Sequence, residues 1–95
     1  MEFEWDSKKE QINIAKHGID FLSALTVFED SGCELMYDED HSINEERFIA
    51  VGRMRGTGEL IKVIYTIRKD KCRIISARKT TKREEAKHYD CQKNN

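Results

Sequence analysis

The stretch from Arg73 to Glu85, RIISARKTTKREE, sets an apolar run against four cations, Arg78, Lys79, Lys82 and Arg83. Arginine keeps its charge, and its planar fork matches phosphate, so such a cluster holds and stabilises anions rather than moving protons. Thr81 and Glu84 have the T-x-x-E spacing of a capping box, in which each satisfies the backbone at the other. Lys82 and Arg83 then fall in the first helical turn, where the partial positive charge of a helix end disfavours cations. A bound anion reverses that cost; the alternative is that both side chains simply reach into water. Arg68 closes the preceding strand pattern, and Arg73 and Arg78 bracket the next, so the basic surface extends along the strand ends. Tyr65, on the neighbouring strand, is either a stacking surface for a base or an ordinary core tyrosine.

Groups that move protons are scarcer. KHG, Lys16–Gly18, puts a lysine and a histidine at a helix C-terminus, where cations are also favoured structurally. Glu45 and Glu46 beside Arg47 offer a carboxylate base or a solvated strand start. DEDH, Asp38–His41, carries metal-ligand types, but four adjacent residues cannot all face one ion, so no metal or other cofactor is expected. Cys33, Cys72 and Cys91 are odd in number and lack a CxxC pair, which points to neither a disulfide framework nor zinc. No glycine-rich phosphate loop is present, and hydrolysis of nucleoside triphosphates is not expected.

The elements that must position these groups are legible in outline. EFEW alternates as a short strand does. Asp6 can cap a helix over 7–17, with Gly18 as its stop, and a second helix starts at Asp20 with Phe21, Ala24, Leu25 and Phe28 on one apolar stripe. CELM, ERFIAVGRM, ELIKVIYTIR and CRIISAR then read as strands joined by short connections, the last three as an antiparallel meander. The capping box opens a C-terminal helix. The predicted class is α+β: two N-terminal helices packed on an antiparallel sheet, followed by that last helix.

The chain has 95 residues, 38% hydrophobic and 37% charged, with a net charge of -1. That suits one domain over residues 1–95 with a modest core. The small net charge hides a split. Eight acids and no Lys or Arg lie between Glu29 and Glu46, whereas ten cations face three acids between Lys62 and Lys87. The split suits a basic partner for one part and a polyanion for the other, or two faces of one fold that attract each other. The start is charged from Glu2, unlike a secretory signal, and no apolar run approaches a membrane span, so a reducing cytoplasmic setting with no membrane partner is expected.

FEWD at Phe3–Asp6, KHGIDF at Lys16–Phe21, EERFIAVG at Glu45–Gly52, VIYTIR at Val63–Arg68 and RIISAR at Arg73–Arg78 occur in that order. Together they resemble the BrnT toxins, the ribonuclease partners of BrnT–BrnA type II toxin–antitoxin modules. The likeness runs from Phe3 to about Glu85; Ser23 departs from it, standing where the family often has an acid. It implies a RelE-like toxin fold and a metal-independent endoribonuclease that cleaves RNA and inhibits translation. It also implies a BrnA-like ribbon-helix-helix antitoxin in a hetero-oligomer that reaches operator DNA only through the antitoxin. Within the matched motifs, Arg68 and Arg78 are assigned to the scissile phosphate, and His17, Glu46 and Lys16 are candidates for proton transfer. Arg73, Lys79, Lys82, Arg83 and Tyr65 are assigned to binding RNA.

Overall fold

The computed structural model describes residues 2–93. The chain opens with β1 (Glu2–Trp5) and passes at once into α1 (Ser7–His17). Asp6 caps α1 by accepting from the backbone N–H groups of Lys8 at 2.8 Å and Lys9 at 3.1 Å. Gly18, at φ 69°, ends the helix in the left-handed conformation that glycine adopts without strain. Asp20 then caps α2 (Phe21–Ala24), which tightens into a 3-10 segment over Leu25–Glu29.

That tightening departs from the regular second helix expected from the sequence. The Thr26 hydroxyl donates back to the Ser23 carbonyl at 2.7 Å, and the β-branched pair Thr26–Val27 crowds an α turn. In the 3-10 geometry residues three apart eclipse, and Ala24 and Val27 both reach the core with no exposure. Gly52 faces this segment closely: a Cβ there would lie 3.0 Å from the Val27 carbonyl oxygen.

Four further strands follow: β2 (Glu34–Tyr37), β3 (Phe48–Arg53), β4 (Leu60–Arg68) and β5 (Lys71–Lys79), then α3 (Lys82–Lys93). The sheet order is β1-β5-β4-β3-β2. The β2–β3, β3–β4 and β4–β5 pairs are antiparallel, so the meander is present, but β1 lies parallel to β5. The sheet is therefore mixed, not antiparallel throughout. No hairpin fixes the direction of β1 against β5; the chain leaves β1 through helices and crosses to the far edge before pairing again. Charge and burial set the register instead. Glu2 pairs with Lys71 and Glu4 with Arg73, at 3.6 and 3.0 Å, while Phe3 and Trp5 turn inward onto Phe28 and Phe21.

One face of the sheet carries Ala50, Ile61, Val63, Tyr65, Cys72, Ile74 and Ala77 against Phe21, Ala24 and Val27, and this is the core. Burial leaves the Cys33 and Cys72 thiols protonated, each pushed up to about 11. β1 covers β5 only as far as Ile74. Beyond it, the side chain of Asn13, 4% exposed, takes over the open edge. Its Oδ1 accepts from Ala77 N–H at 3.0 Å, and its Nδ2 donates to the carbonyls of Ala77 and Ile19 at 2.9 Å each. Asn13→Ala leaves a buried donor and acceptor of β5 unpaired, at about 1–3 kcal/mol for each such group. A loss of about 2–6 kcal/mol is expected in urea unfolding.

Candidate functional site

The loop between β2 and β3 is closed on itself. Asp38 N–H donates to the Arg47 carbonyl at 2.9 Å, Ser42 Oγ donates to the Asp38 carbonyl at 2.5 Å, and Arg47 N–H donates to Ser42 Oγ at 2.9 Å. Two side chains then fasten the loop to the end of β4. Thr66 Oγ1 donates to the Glu46 carbonyl at 2.6 Å, and Arg68 grips Glu45 through Nε at 3.1 Å and Nη2 at 2.7 and 2.9 Å. The guanidinium holds the Glu45 carboxyl below the usual range.

The result is an open polar cleft of about 500 Å³ lined by Lys9, His41, Asn44, Glu45, Arg47 and Arg68, with Ile43 at its rim. His41 Nδ1 lies 3.1 and 3.0 Å from the two carboxylate oxygens of Asp38. Asp38 is buried, with its side chain 8% exposed, while the His41 side chain is 68% exposed. Among the described residues no group of three His, Cys, Asp or Glu side chains is placed to hold a metal ion.

The second cluster lies at the other end of the sheet. Register pairs Arg68 with Lys71 but Arg78 with Lys62, and the six residue steps from Lys62 to Arg68 span roughly 20 Å. The structure thus does not bring Arg68 and Arg78 to one phosphate. The capping box forms as the spacing predicts, with Thr81 N–H donating to Glu84 Oε1 at 2.9 Å and Glu84 N–H to Thr81 Oγ1 at 3.1 Å. The same carboxylate takes both Nη atoms of Arg78 at 2.9 Å and Lys62 Nζ at 3.1 Å. An anion does sit at this helix end, and it is the protein's own Glu84. α3 is tied down further by polar contacts: buried His88 with Glu34, Tyr89 with Arg53, and Gln92 Nε2 donating to the Gly32 carbonyl at 3.1 Å. Glu34, His88, Lys62 and Glu84 line a narrow cleft of about 180 Å³.

The remaining sequence-predicted residues scatter. Lys82 and Arg83 are exposed on the first turn of α3, without an ion pair among the described residues. Arg73 is paired with Glu4 and Lys79 with Glu59, at 3.0 and 2.9 Å. Tyr65 is a core residue, stacked on Phe48 and edge-on to Phe28. Lys16 and His17 are exposed on the last turn of α1, and they line neither cleft. The Glu46 side chain is exposed; Glu45, one position earlier, holds the arginine. The residue that sequence reading passed over is His41, weighed only as part of a metal run. Its signal was the i, i+3 spacing to Asp38, which a single helical turn converts into contact.

The Arg78 fork, backed by Thr81 N–H and Lys62, lowers the Glu84 carboxyl from 4.5 to about 2 despite partial burial. A carboxylate whose pKa is lower in the folded state contributes stability that is complete above its ordinary value and lost as pH falls through the folded one. Unfolding free energy is therefore expected to drop between about pH 4.5 and 2, and Glu84→Gln to flatten part of that slope, measured by urea titrations across that range.

No helix among the described residues is long and apolar enough to cross a membrane. No curated protein matches the chain. Residues 5–84 match the family described as "Ribonuclease toxin, BrnT, of type II toxin-antitoxin system". With that match across most of its length, the chain belongs to the BrnT family of ribonuclease toxins of type II toxin–antitoxin systems.

Proposed function

We propose that the protein is a metal-independent endoribonuclease of RelE-like fold that cuts RNA and so arrests translation. It acts as one domain in the cytoplasm, and a BrnA-like ribbon-helix-helix antitoxin neutralises it in a complex that meets operator DNA through the antitoxin. The observation that carries the cleavage reading is the state of Arg68. Glu45 occupies its Nε and Nη2, which fixes the plane of the guanidinium, while Nη1 has no partner among the described residues. A guanidinium held from one side and open on the other is ready to receive a phosphate oxygen without being reordered.

Arg78 differs, because both of its Nη atoms are spent on Glu84 and on the Lys79 carbonyl. We therefore place Arg68 at the scissile phosphate. Lys82 and Arg83 on α3 serve flanking phosphates directly, and Arg73, Arg78 and Lys79 serve them by exchanging their carboxylate partners for phosphate. Cleavage uses the substrate's 2′-hydroxyl attacking the adjacent phosphorus in line. The transition state is more anionic than the bound RNA, so a fixed cation at the phosphate stabilises it selectively. Losing one such preorganised donor typically costs about 10²–10³-fold in turnover.

Purified protein is expected to cut RNA, free or on ribosomes, in the presence of a chelator. Arg68→Ala is expected to lower turnover about 10²-fold, and Arg78→Ala to act mainly on KM. Cleavage that stops with the chelator removes the metal-independent reading. Salt-sensitive binding without cleavage marks a non-catalytic RNA-binding module instead. If both variants fold yet cut RNA and arrest growth as the parent does, the arginine assignment is wrong.

A further inference from the structure

Asp38 and His41 belong to a loop that needs neither side chain to close. Its backbone is already held by the bonds among Asp38, Ser42 and Arg47, and by Thr66 and Arg68 at the β4 end. The Asp38 carboxylate is nonetheless buried, and among the described residues its side-chain partner is the His41 ring, with no Lys or Arg paired to it. A carboxylate on Nδ1 takes that nitrogen's proton as a hydrogen bond and leaves Nε2 as the basic atom. Nε2 has no protein partner among the described residues, and the ring is largely exposed and lines the same cleft as Arg68.

We infer that His41 is the general base of RNA cleavage and that Asp38 is the positioning residue that orients it, an inference that rests on the ribonuclease reading. With the scissile phosphate on Arg68 Nη1, His41 Nε2 takes the proton of the 2′-hydroxyl as the 2′-oxygen bonds to phosphorus. The bond from phosphorus to the 5′-oxygen breaks, and that oxygen takes a proton from water. The resulting hydroxide is neutralised by the proton His41 then gives up. The products are a 2′,3′-cyclic phosphate and a 5′-hydroxyl, with no change of oxidation state. The charged groups that contact the ring or line its cleft are Asp38 and Glu45 on its own loop, Arg47 at the loop's end, Lys9 from α1 and Arg68 from β4, with Glu39 and Asp40 preceding it on the same turn. Histidine suits the role because it exchanges protons near neutral pH.

The test is steady-state cleavage of a defined RNA by the full chain and by His41→Ala, His41→Gln and Asp38→Asn. His41→Ala strips the buried Asp38 carboxylate of its side-chain partner and is expected to unfold at a lower temperature than the parent, so its kinetics are read well below that transition; His41→Gln, whose amide can still donate to Asp38, is expected to stay closer to the parent. His41→Ala is expected to lose roughly 10²–10⁴-fold in kcat with little change in KM, and imidazole in the buffer to restore part of it. Asp38→Asn is expected to lose less and to displace the acidic limb of the pH–rate profile, a limb that both His41 variants lack. Cleavage by His41→Ala within about threefold of the parent, well below the usual general-base contribution, overturns the assignment and leaves the ribonuclease reading standing. A loss confined to KM that imidazole does not relieve also overturns it. A parent protein that cuts no RNA removes the ribonuclease reading and this assignment with it.

Discussion

Asn13 replaces the missing end of a strand. β1 stops opposite Ile74, and the next pairing position on the open edge of β5, Ala77, would otherwise present a buried N–H and C=O to nothing. A side-chain amide carries one donor and one acceptor group in the same arrangement as a peptide, so Asn13 continues the edge and carries α1 with it. Its third bond, to the Ile19 carbonyl, fixes the turn into α2. A separate bond, from Phe21 N–H to the Glu10 carboxylate at 2.9 Å, holds the same helix, and Lys9 beside Glu10 lines the Arg68 cleft. The helix is correspondingly odd in its pattern: Asn13 is buried, while Ile12 and Ile14 beside it are 59% and 38% exposed.

Charge pairing decides which cations are available for function. In the basic segment from Lys62 to Lys87, Lys62, Arg68, Lys71, Arg73, Arg78 and Lys79 all meet carboxylates of the same chain. Of these pairings, Arg68 with Glu45 joins the basic segment to the acidic run between Glu29 and Glu46. The two runs are therefore not one large electrostatic seam. Most of the pairings instead fasten edges: β1 to β5 through Glu2 and Glu4, and α3 to the sheet through Glu84. Exposed pairs of this kind add little to stability, but they set direction and register where no hairpin does. Arg68 differs because Glu45 occupies Nε and Nη2 and leaves Nη1 without a partner among the described residues, in a side chain that lines an open cleft.

Much of the architecture was legible locally. The caps at Asp6, Asp20 and Thr81, the stop at Gly18 and the strand pattern of β3, β4 and β5 each depend on residues a few positions apart, and each formed as its spacing implied. The parallel pairing of β1 was not legible, because its partner lies nearly seventy residues away and nothing within EFEW specifies direction. The candidate site was half legible. The arginines were visible as a class, but whether Arg68 and Arg78 face one phosphate depends on strand register, which places them at opposite ends of the sheet.

The sequence by itself determined the helix caps, the strand pattern of the meander and the family, since these reside in short-range spacing and in ordered motifs, but not the 3-10 form of Leu25–Glu29. Only the tertiary structure decided which charges remain available. A carboxylate such as Glu84 satisfies its own helix end and an arginine from another strand at once, and nothing in linear spacing shows that. It likewise took the seated loop to bring His41 into the cleft that Arg68 lines, because the bonds that seat it join the loop to β4, twenty or more residues away in the chain.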